Sequence, residues 1–227
     1  MKLAVIVPVF NEAATIAEVV ARIRAVPMDK EIIVVDDAST DGTDRVLAGL
    51  SGPDLAVLRH EKNQGKGAAI RTAIPKVTAE AAVIQDADLE YGPEQLPELL
   101  KPIEEGRATV VFGSRFAGTV TGMRLANYVA NKILAWTASL FFGQTITDEA
   151  TCYKMFRTDV LRSLPLDCRR FEFCPEVIGR LRRRGIPIME LPIIYRGRTV
   201  AAGKKIRLKD SLDAFAELVR MRLTAKP

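Results

Sequence analysis

Histidine and cysteine are scarce in this chain, and each shortage excludes a class of site. His60 is the single histidine, so histidine-based zinc sites and a Ser/His/Asp triad have little to work with. Cys152, Cys168 and Cys174 show no paired metal-ligand spacing, and their odd number does not suggest a disulfide framework. This use of cysteine fits a reducing cytosol.

Long apolar runs and glycine-rich nucleotide motifs are also missing. No run reaches the roughly 18–20 apolar residues that a membrane span needs, and the first residues are typical of a strand rather than a signal peptide. No Gly-x-Gly-x-x-Gly follows the first strand, so a nicotinamide-binding fold is a poor match. Gly65-Lys66-Gly67 lacks the full Walker pattern.

The composition that remains is that of an ordinary globular protein. The 227 residues are 48% hydrophobic and 27% charged, enough for one large α/β domain or two small ones. The net charge of +5 favours an anionic partner: a nucleic acid, a membrane surface or a phosphorylated substrate. Aromatic residues are 6% of the chain and lie mostly in apolar runs, which disfavours a nucleic-acid-binding module.

Strands and helices alternate through the first half. This order predicts an α/β fold with a doubly wound, mostly parallel sheet flanked by helices. Polar clusters follow most strands, at the edge where such sheets bind ligands. The predicted strands are 2–9, 32–35, 55–58, 81–84 and 109–113, and the predicted helices between them end near residues 26, 50, 77 and 105.

The second half is less regular, and we expect it to elaborate the same single domain, 1–227. The predicted elements are a long helix over 123–142, strands over 151–156 and 186–195, and helices over 174–184 and 208–223. Two prolines place the second of these strands at a sheet edge. The end of the long helix is apolar nearly all round, which is typical of a buried helix or of one in a membrane interface.

A buried strand over 81–84 runs into an acidic stretch. In an extended chain Asp86, Asp88 and Glu90 project to one face, where three carboxylates repel each other unless a cation lies among them. Oxygen ligands suit Mg²⁺ or Mn²⁺. The alternative is a solvated acidic turn in which Asp88 caps a helix.

Two further clusters point to a nucleotide diphosphate. Asp36 and Asp37 follow the second strand, where an ionised carboxylate can accept from a ribose hydroxyl or a base N–H. Lys66 lies between two glycines at a helix start, where amides and one cation can meet a phosphate. A metal among the carboxylates would neutralise the diphosphate as it leaves.

An ordered set of motifs carries a resemblance over nearly the whole chain. It is similar to the family 2 inverting glycosyltransferases of the GT-A fold, and more closely to their dolichol-phosphate mannose synthase branch. The motifs are Pro8-Val9-Phe10-Asn11-Glu12, Val35 to Thr43, Asn63 to Gly67, Asp86-Ala87-Asp88-Leu89, Gly113-Ser114-Arg115, Thr147 to Lys154, Phe171 to Glu176 and Gly203 to Ile206.

The resemblance implies a role for each matching position. Donor-binding positions are Pro8, Phe10, Glu12, Asp36, Asp37, Lys66, Asp86 and Ala87, and the metal ligands are Asp86, Asp88 and Glu90. Glu90 departs from this branch, which often has Gln there. Positions facing an acceptor or a phosphate are Arg115, Arg124, Asn127, Arg196, Arg198, Lys204 and Lys205, and the catalytic set is Asp88, Arg115, Arg124 and Asp148.

The implied reaction moves a sugar from a GDP- or UDP-linked donor to a polyprenyl phosphate, with residues 1–115 binding the donor and 116–227 the acceptor. An anionic acceptor needs cations rather than a strong base. With no membrane span, we expect a cytoplasmic protein that meets its lipid by a surface carrying Trp136, Phe141 and Phe142.

Three alternatives stay open. A hydroxyl acceptor would need a base, for which Asp148 is the first candidate, ahead of Glu149 and Glu176. A nucleotidyltransferase also fits a metal-carboxylate site, but its frequent Gly-rich first loop is missing. A non-catalytic module that binds nucleotides or nucleic acid is the third reading.

Overall fold

The computed structural model describes residues 1–198 and 208–224, which form one seven-stranded sheet with helices packed on it. The strands are β1 Leu3–Val9, β2 Lys30–Asp36, β3 Leu55–Arg59, β4 Ala81–Ile84, β5 Val110–Thr121, β6 Lys154–Arg157 and β7 Met189–Arg196. The helices are α1 Ile16–Ala25, α2 Thr43–Ala48, α3 Lys66–Ala73, α4 Leu96–Glu104, α5 Leu125–Phe142, α6 Thr158–Ser163, α7 Phe173–Arg183 and α8 Leu208–Thr224.

The sheet confirms the predicted single α/β domain. Its strand order is β3-β2-β1-β4-β6-β5-β7, and only β6 is antiparallel to its neighbours. β1 lies between β2 and β4 and is apolar on both faces, as a strand covered by helices on both sides must be. β7 stands at the edge, as the two prolines of the predicted strand 186–195 indicate.

The fifth strand is longer than predicted because its glycines allow close packing rather than ending it. β5 continues through Gly113 and Gly118 to Thr121, and its register with β7 shifts between Ser114 and Thr119. A Cβ atom on Gly118 would lie 2.1 Å from the carbonyl oxygen of Ile193. Only glycine lets the two backbones approach so closely there.

One other difference is local. The sequence pattern missed α6, which has only six residues and no full amphipathic period. Within residues 1–198 and 208–224, no helix combines the length and the apolar composition that crossing a membrane requires.

The carboxyl ends of β1, β2 and β4 meet at one edge of the sheet. Val9 is paired with Asp36, and the amide of Gln85 donates to the carbonyl of Ile6. The loops that carry Glu12, Asp37 and Asp86 therefore leave the sheet side by side, as parallel strand ends must.

Candidate active site

The acidic stretch after β4 is a turn, not an extended chain. The strand ends at Ile84, and Leu89 has a φ of +61°, a left-handed conformation uncommon for a branched side chain. The carboxylate of Asp88 accepts from the amide of Glu90 at 3.1 Å. The prediction that Asp86, Asp88 and Glu90 share one face is therefore wrong, because strand alternation stops before them.

Glu90 has hydrogen-bond partners of its own. Its buried carboxylate accepts hydrogen bonds from the hydroxyl of Tyr195 and from the amide of Arg198, the latter at 2.7 Å. In the part of the chain that the structure describes, no three acidic, histidine or cysteine side chains converge as a metal-binding group. Metal binding by Asp86, Asp88 and Glu90 together therefore stays a prediction.

The surroundings of Asp88 disfavour its negative charge. Burial, together with the nearby charges of Asp86 and Glu90, raises the pKa of Asp88 to about 7, while Arg198 opposes the rise. A carboxylate pair in this setting favours any cation placed beside it.

Lys66 contacts Asp86 directly. Its ammonium lies 2.5 Å from Oδ1 of Asp86 and 3.8 Å from the sulfur of Cys152. Burial opposes the charge on the lysine, but the carboxylate of Asp86 outweighs it and raises the pKa of Lys66. The lysine is in the predicted site, with a carboxylate rather than a phosphate as its partner.

The start of α3 does not offer its amides to a phosphate. The amides of Gly67 and Ala68 donate to the carbonyls of Arg170 and Arg169, at 3.0 and 2.9 Å. The residue before the helix, Gly65, has a φ of +98°, and a Cβ there would lie 2.5 Å from the carbonyl oxygen of Arg169. The predicted amide cradle is therefore wrong, because the loop after α6 already caps this helix.

The carboxylate of Asp37 links three segments of the chain through hydrogen bonds. It accepts from the amides of Gln64 and Gly65 at 2.8 and 2.7 Å, and Oδ1 lies 2.6 Å from Nδ1 of His60. Nε2 of His60 lies 2.9 Å from the hydroxyl of Thr72 on α3. The carboxylate is almost fully buried and positions these backbone segments, and its contact with the nucleoside stays a prediction.

Its neighbour Asp36 is also buried. Oδ1 accepts from the amide of Ser39 at 2.9 Å, and Oδ2 forms an ion pair with Arg59 at 3.4 Å. These contacts stabilise the turn before α2.

The loop after β1 presents one aromatic ring to solvent. Pro8 is half-buried at the end of β1, Phe10 is exposed, and Asn11 turns the chain with a φ of +54°. The hydroxyl of Thr15 donates to the carbonyl of Ala87 at 2.6 Å and thereby ties the acidic turn to this loop.

Arg198 links the loop after β1 to the acidic turn. Its guanidinium makes two 3.0 Å hydrogen bonds to the carboxylate of Glu12 and one of 3.3 Å to Asp88. Nε lies 4.0 Å from a carboxylate oxygen of Glu90. Carboxylates from the loops after β1 and β4 thus share one cation.

Arg115 and Asp148 form a second bidentate pair, but an enclosed one. Two guanidinium hydrogen bonds of 2.7 Å and the amide of Arg115 at 2.9 Å all reach the carboxylate of Asp148. The guanidinium also packs on the rings of Phe116 and Tyr195. Burial closes both side chains, and the roles of Arg115 as an acceptor ligand and of Asp148 as a base stay predictions.

The other predicted acceptor residues are more open. Arg124 is exposed immediately before α5, Asn127 is half-buried in its first turn, and Arg196 is exposed at the end of β7. Thr121 is paired with Arg196, so the two exposed arginines leave adjacent strand ends. Lys204 and Lys205 lie outside the described residues.

One face of α5 is apolar and exposed. Trp136 is 68% exposed, whereas Phe141 and Phe142 pack partly against the core, contrary to the expectation that all three face outward. The exposed stripe, named here the α5 stripe, consists of Leu125, Tyr128, Val129, Ile133, Trp136 and Leu140.

Glu149 is buried, and neither of its carboxylate oxygens is hydrogen-bonded among the described residues. Burial raises its pKa to about 7, although the charge of Lys154 opposes the rise. The Lys154 ammonium donates instead to the carbonyls of Glu149 and Thr151.

Sequence reasoning missed His60 and Tyr195 as site residues. His60 stands directly after β3, at the ligand edge, and that position was the available signal. Tyr195 carries no such signal, because its partner Glu90 is 105 residues away.

Residues 4–164 match the family described as Glycosyl transferase family 2. An undecaprenyl-phosphate mannosyltransferase of Micrococcus luteus is 30% identical over 218 residues, covering 90% of this chain and 87% of the relative. A UDP-N-acetylglucosamine–dolichyl-phosphate N-acetylglucosaminyltransferase of Methanococcus voltae is 28% identical over 226 residues, covering 89% of this chain and 90% of the relative.

Solved structures resemble the fold. Glucosyl-3-phosphoglycerate synthase from Mycobacterium tuberculosis in complex with UDP has a TM-score of 0.75 at 22% identity, covering 99% of this chain and 81% of that chain. The same synthase with Mn²⁺, UDP and phosphoglyceric acid has a TM-score of 0.73 at 23% identity, covering 99% and 80%. This likeness confirms the expected GT-A-type fold.

Proposed function

We propose, because the chain belongs to glycosyl transferase family 2, that it moves a sugar from a nucleotide-diphosphate sugar to a polyprenyl phosphate. The names of two relatives, which specify undecaprenyl phosphate and dolichyl phosphate, support this acceptor class. We propose residues 1–115 as the donor half and 116–227 as the acceptor half.

Asp86 and Asp88 suit a divalent cation that a donor diphosphate helps to hold. Mg²⁺ in particular is usually bound through one or two carboxylates plus substrate phosphates, so a third protein ligand is not needed. When bound, Mg²⁺ or Mn²⁺ would offset the charge that develops on the leaving diphosphate. The structures of the mycobacterial synthase with Mn²⁺ and UDP support this assignment by fold alone.

The donor nucleoside, linked through UDP or GDP, would lie along the loop after β1. Phe10 offers an exposed ring there, with Pro8 and Glu12 beside it in the chain. Asp37 would act indirectly, since its hydrogen bonds to residues 64 and 65 place the backbone that carries Lys66.

Arg124 and Arg196 are the cations we assign to the acceptor phosphate. Both are exposed, and the strand pairing of Thr121 with Arg196 brings their chain segments together. Asn127 follows in the first turn of α5 and can donate a hydrogen bond to the same group. These cations would reduce the repulsion between two phosphate-bearing substrates.

The transfer step requires no strong base. An ionised phosphate oxygen of the acceptor attacks the anomeric carbon and forms the new C–O bond with inversion. The bond from that carbon to the diphosphate breaks, and the electron pair leaves with the nucleoside diphosphate. The chain's task is to align the two substrates and offset their charge.

The burial of every candidate base argues against a hydroxyl acceptor. The side chains of Asp148, Glu149 and Glu176 are all fully buried. Asp148 is bound by Arg115, and Glu176 accepts from the amides of residues 167 and 168. None of the three reaches an incoming hydroxyl in this arrangement.

The observation that carries the acceptor assignment is the position of the α5 stripe. It starts at Leu125, next to Arg124, and extends along a helix of 18 residues, about 27 Å at 1.5 Å per residue. A lipid phosphate has this form, with an anionic head followed by a long apolar chain. We therefore propose peripheral contact with the cytoplasmic face of a membrane through this stripe.

The direct test is an acceptor comparison. A panel of UDP- and GDP-sugars is incubated with a short polyprenyl phosphate or with the matching unphosphorylated polyprenol, each with Mg²⁺, with Mn²⁺ or with excess chelator. We expect transfer to the phosphate only, and none in chelator. Transfer to the polyprenol or to a saccharide would contradict the proposal.

The surface is tested by vesicle sedimentation. Trp136→Gln should reduce binding to anionic vesicles, and high salt should weaken vesicle binding by the wild-type protein in the same assay. Val57→Gln is the control, because Val57 is an exposed apolar residue on β3, at the far end of the sheet. Equal losses in both variants would mean that the stripe has no special role.

A further inference from the structure

Each aspartate of the acidic turn holds one cation from its own chain. Lys66 lies 2.5 Å from Asp86, and Arg198 lies 3.3 Å from Asp88. Arg198 is also shared with Glu12 and approaches Glu90. The two positive charges together equal the charge of one divalent cation, and they contact the same two carboxylates that we assign to it.

We infer that Arg198 is an internal substitute for the metal: it pairs with Asp88 when no donor is bound and moves to the donor diphosphate when the metal takes Asp88. The inference rests on the proposed function, because it requires a metal-bound diphosphate donor. Arg198 therefore couples the binding of the metal to that of the nucleotide, in addition to contacting the donor phosphates.

The geometry permits this exchange. The Arg198 side chain is 16% exposed, and its partners Glu12 and Asp88 are 11% and 18% exposed, so the contact is partly open to solvent. The backbone of Arg198 stays tied to the acidic turn, because its amide donates to Glu90 and the amide of Arg196 donates to the Glu90 carbonyl. The guanidinium can change partner while the chain remains in place.

The free energy of binding should differ between a metal ion that enters alone and one that enters with a nucleotide. Alone, it must displace the guanidinium from Asp88 and leave it with one partner fewer. With a diphosphate, the guanidinium gains a new anionic acceptor whose oxygens suit its paired N–H groups. Metal and nucleotide should therefore bind with positive coupling, each raising the affinity for the other.

The test measures Mn²⁺ affinity by electron paramagnetic resonance of the free ion, using the full chain without nucleotide. Arg198→Gln should bind Mn²⁺ about tenfold more tightly than wild type, the scale of one released charge-assisted hydrogen bond. Arg157→Gln removes the same charge from an exposed ion pair at the opposite end of β4 and should not change the affinity.

The titration is repeated with saturating UDP or GDP. In wild type the nucleotide should tighten Mn²⁺ binding strongly, and in Arg198→Gln by much less. If Arg198→Gln acts only by removing a positive charge, it should tighten Mn²⁺ binding equally with and without nucleotide, and that result would overturn the exchange. An unchanged Mn²⁺ affinity of Arg198→Gln without nucleotide would also overturn it. If Arg198→Gln fails to fold, the same titrations are made with Arg198→Lys. We expect an intermediate effect, because lysine keeps the charge but loses the paired N–H geometry. An unchanged Mn²⁺ affinity in Arg198→Lys would overturn the exchange.

Failure of the inference can be told apart from failure of the proposed function. If only the exchange is wrong, wild type still transfers sugar and binds Mn²⁺ with nucleotide, but the Arg198 variants show unchanged coupling. If the function is wrong, wild type shows neither transfer to a polyprenyl phosphate nor nucleotide-dependent Mn²⁺ binding, and the exchange falls with it.

Discussion

Two arginine–carboxylate pairs of the same chemistry lie in different surroundings. Arg115 and Asp148 are 6% and 0% exposed, and their pair is sealed by the rings of Phe116 and Tyr195. Arg198 and Glu12 are 16% and 11% exposed, and their pair opens toward the acidic turn. The first pair is closed to solvent, whereas the second is partly open to it.

The difference shows that a motif position does not fix a residue's role. Arg115 and Arg198 both have the residue type expected of a phosphate ligand, and the resemblance assigns both to that task. Separating two charges that are buried together is unfavourable, because each is left out of water without its partner. The more open pair can therefore exchange partners at a lower free-energy cost than the enclosed pair.

The largest expected effect comes from breaking the enclosed pair. Arg115→Met should lower the free energy of unfolding by about 3–5 kcal/mol, because Asp148 is left buried and unpaired. Urea denaturation measures the change, and the double variant Arg115→Met/Asp148→Leu should recover much of it. If Arg115→Met unfolds like wild type but loses transfer, Arg115 contacts substrate after all.

Breaking the open pair should affect activity more than stability. Arg198→Gln should reduce kcat/KM for transfer about 10²-fold, the scale of one lost electrostatic stabiliser. Its free energy of unfolding should fall by only about 1–2 kcal/mol. Paired kinetic and urea measurements check both, with Arg157→Gln as the control, and a stability loss as large as that of Arg115→Met would remove the distinction between the pairs.

Glu149 extends the comparison to a buried acid without a hydrogen-bonded partner. Its pKa is raised from 4.5 to about 7 in the folded protein, so the folded state binds more protons than the unfolded state between these values. Stability from this group is complete below about pH 4.5 and is lost as pH rises through 7.

The wild-type protein should therefore lose up to about 1.4 kcal/mol of unfolding free energy per pH unit in that window relative to Glu149→Gln. Urea denaturation of both proteins at pH 5, 6, 7 and 8 gives the difference. Parallel pH profiles would mean that Glu149 is charged throughout or finds a partner.

The smallest effect belongs to His60, which acts on the site through Asp37. His60→Leu removes its contacts with Asp37 and Thr72 and should raise KM for the nucleotide sugar about fivefold, with little change in kcat, as expected for one hydrogen bond. His60→Asn, which can still donate to Asp37, should recover part of the loss. Steady-state kinetics checks the split, and a fall in kcat alone would contradict a positioning role.

The sequence predicted those parts of the molecule that depend on local pattern. The strand 81–84, the acidic residues after it and the edge position of β7 all follow from apolar runs and prolines, and the structure confirms them. The relative direction of the carboxylate side chains could not be predicted, because no neighbouring residue indicates that Leu89 adopts a left-handed conformation.

Long-range pairing was beyond the reach of sequence reasoning. Arg198 meets Glu12 across 186 residues, and Arg115 meets Asp148 across 33. Both pairs consist of residues already assigned to the site, but their burial decides which can bind a substrate. The pairing of β5 with β7 shifts register between Ser114 and Thr119, beside Arg115, and no pattern in the sequence indicates that shift.

The most direct test of the difference between the two pairs observes both guanidinium groups in one protein. Proton–nitrogen NMR of the arginine side chains, with Arg198→Lys and Arg115→Lys used for assignment, is recorded without ligand and with Mg²⁺ plus UDP or GDP. We predict that the nucleotide complex shifts the Arg198 signals and leaves those of Arg115 unchanged. Shifted Arg115 signals beside unchanged Arg198 signals would contradict the account.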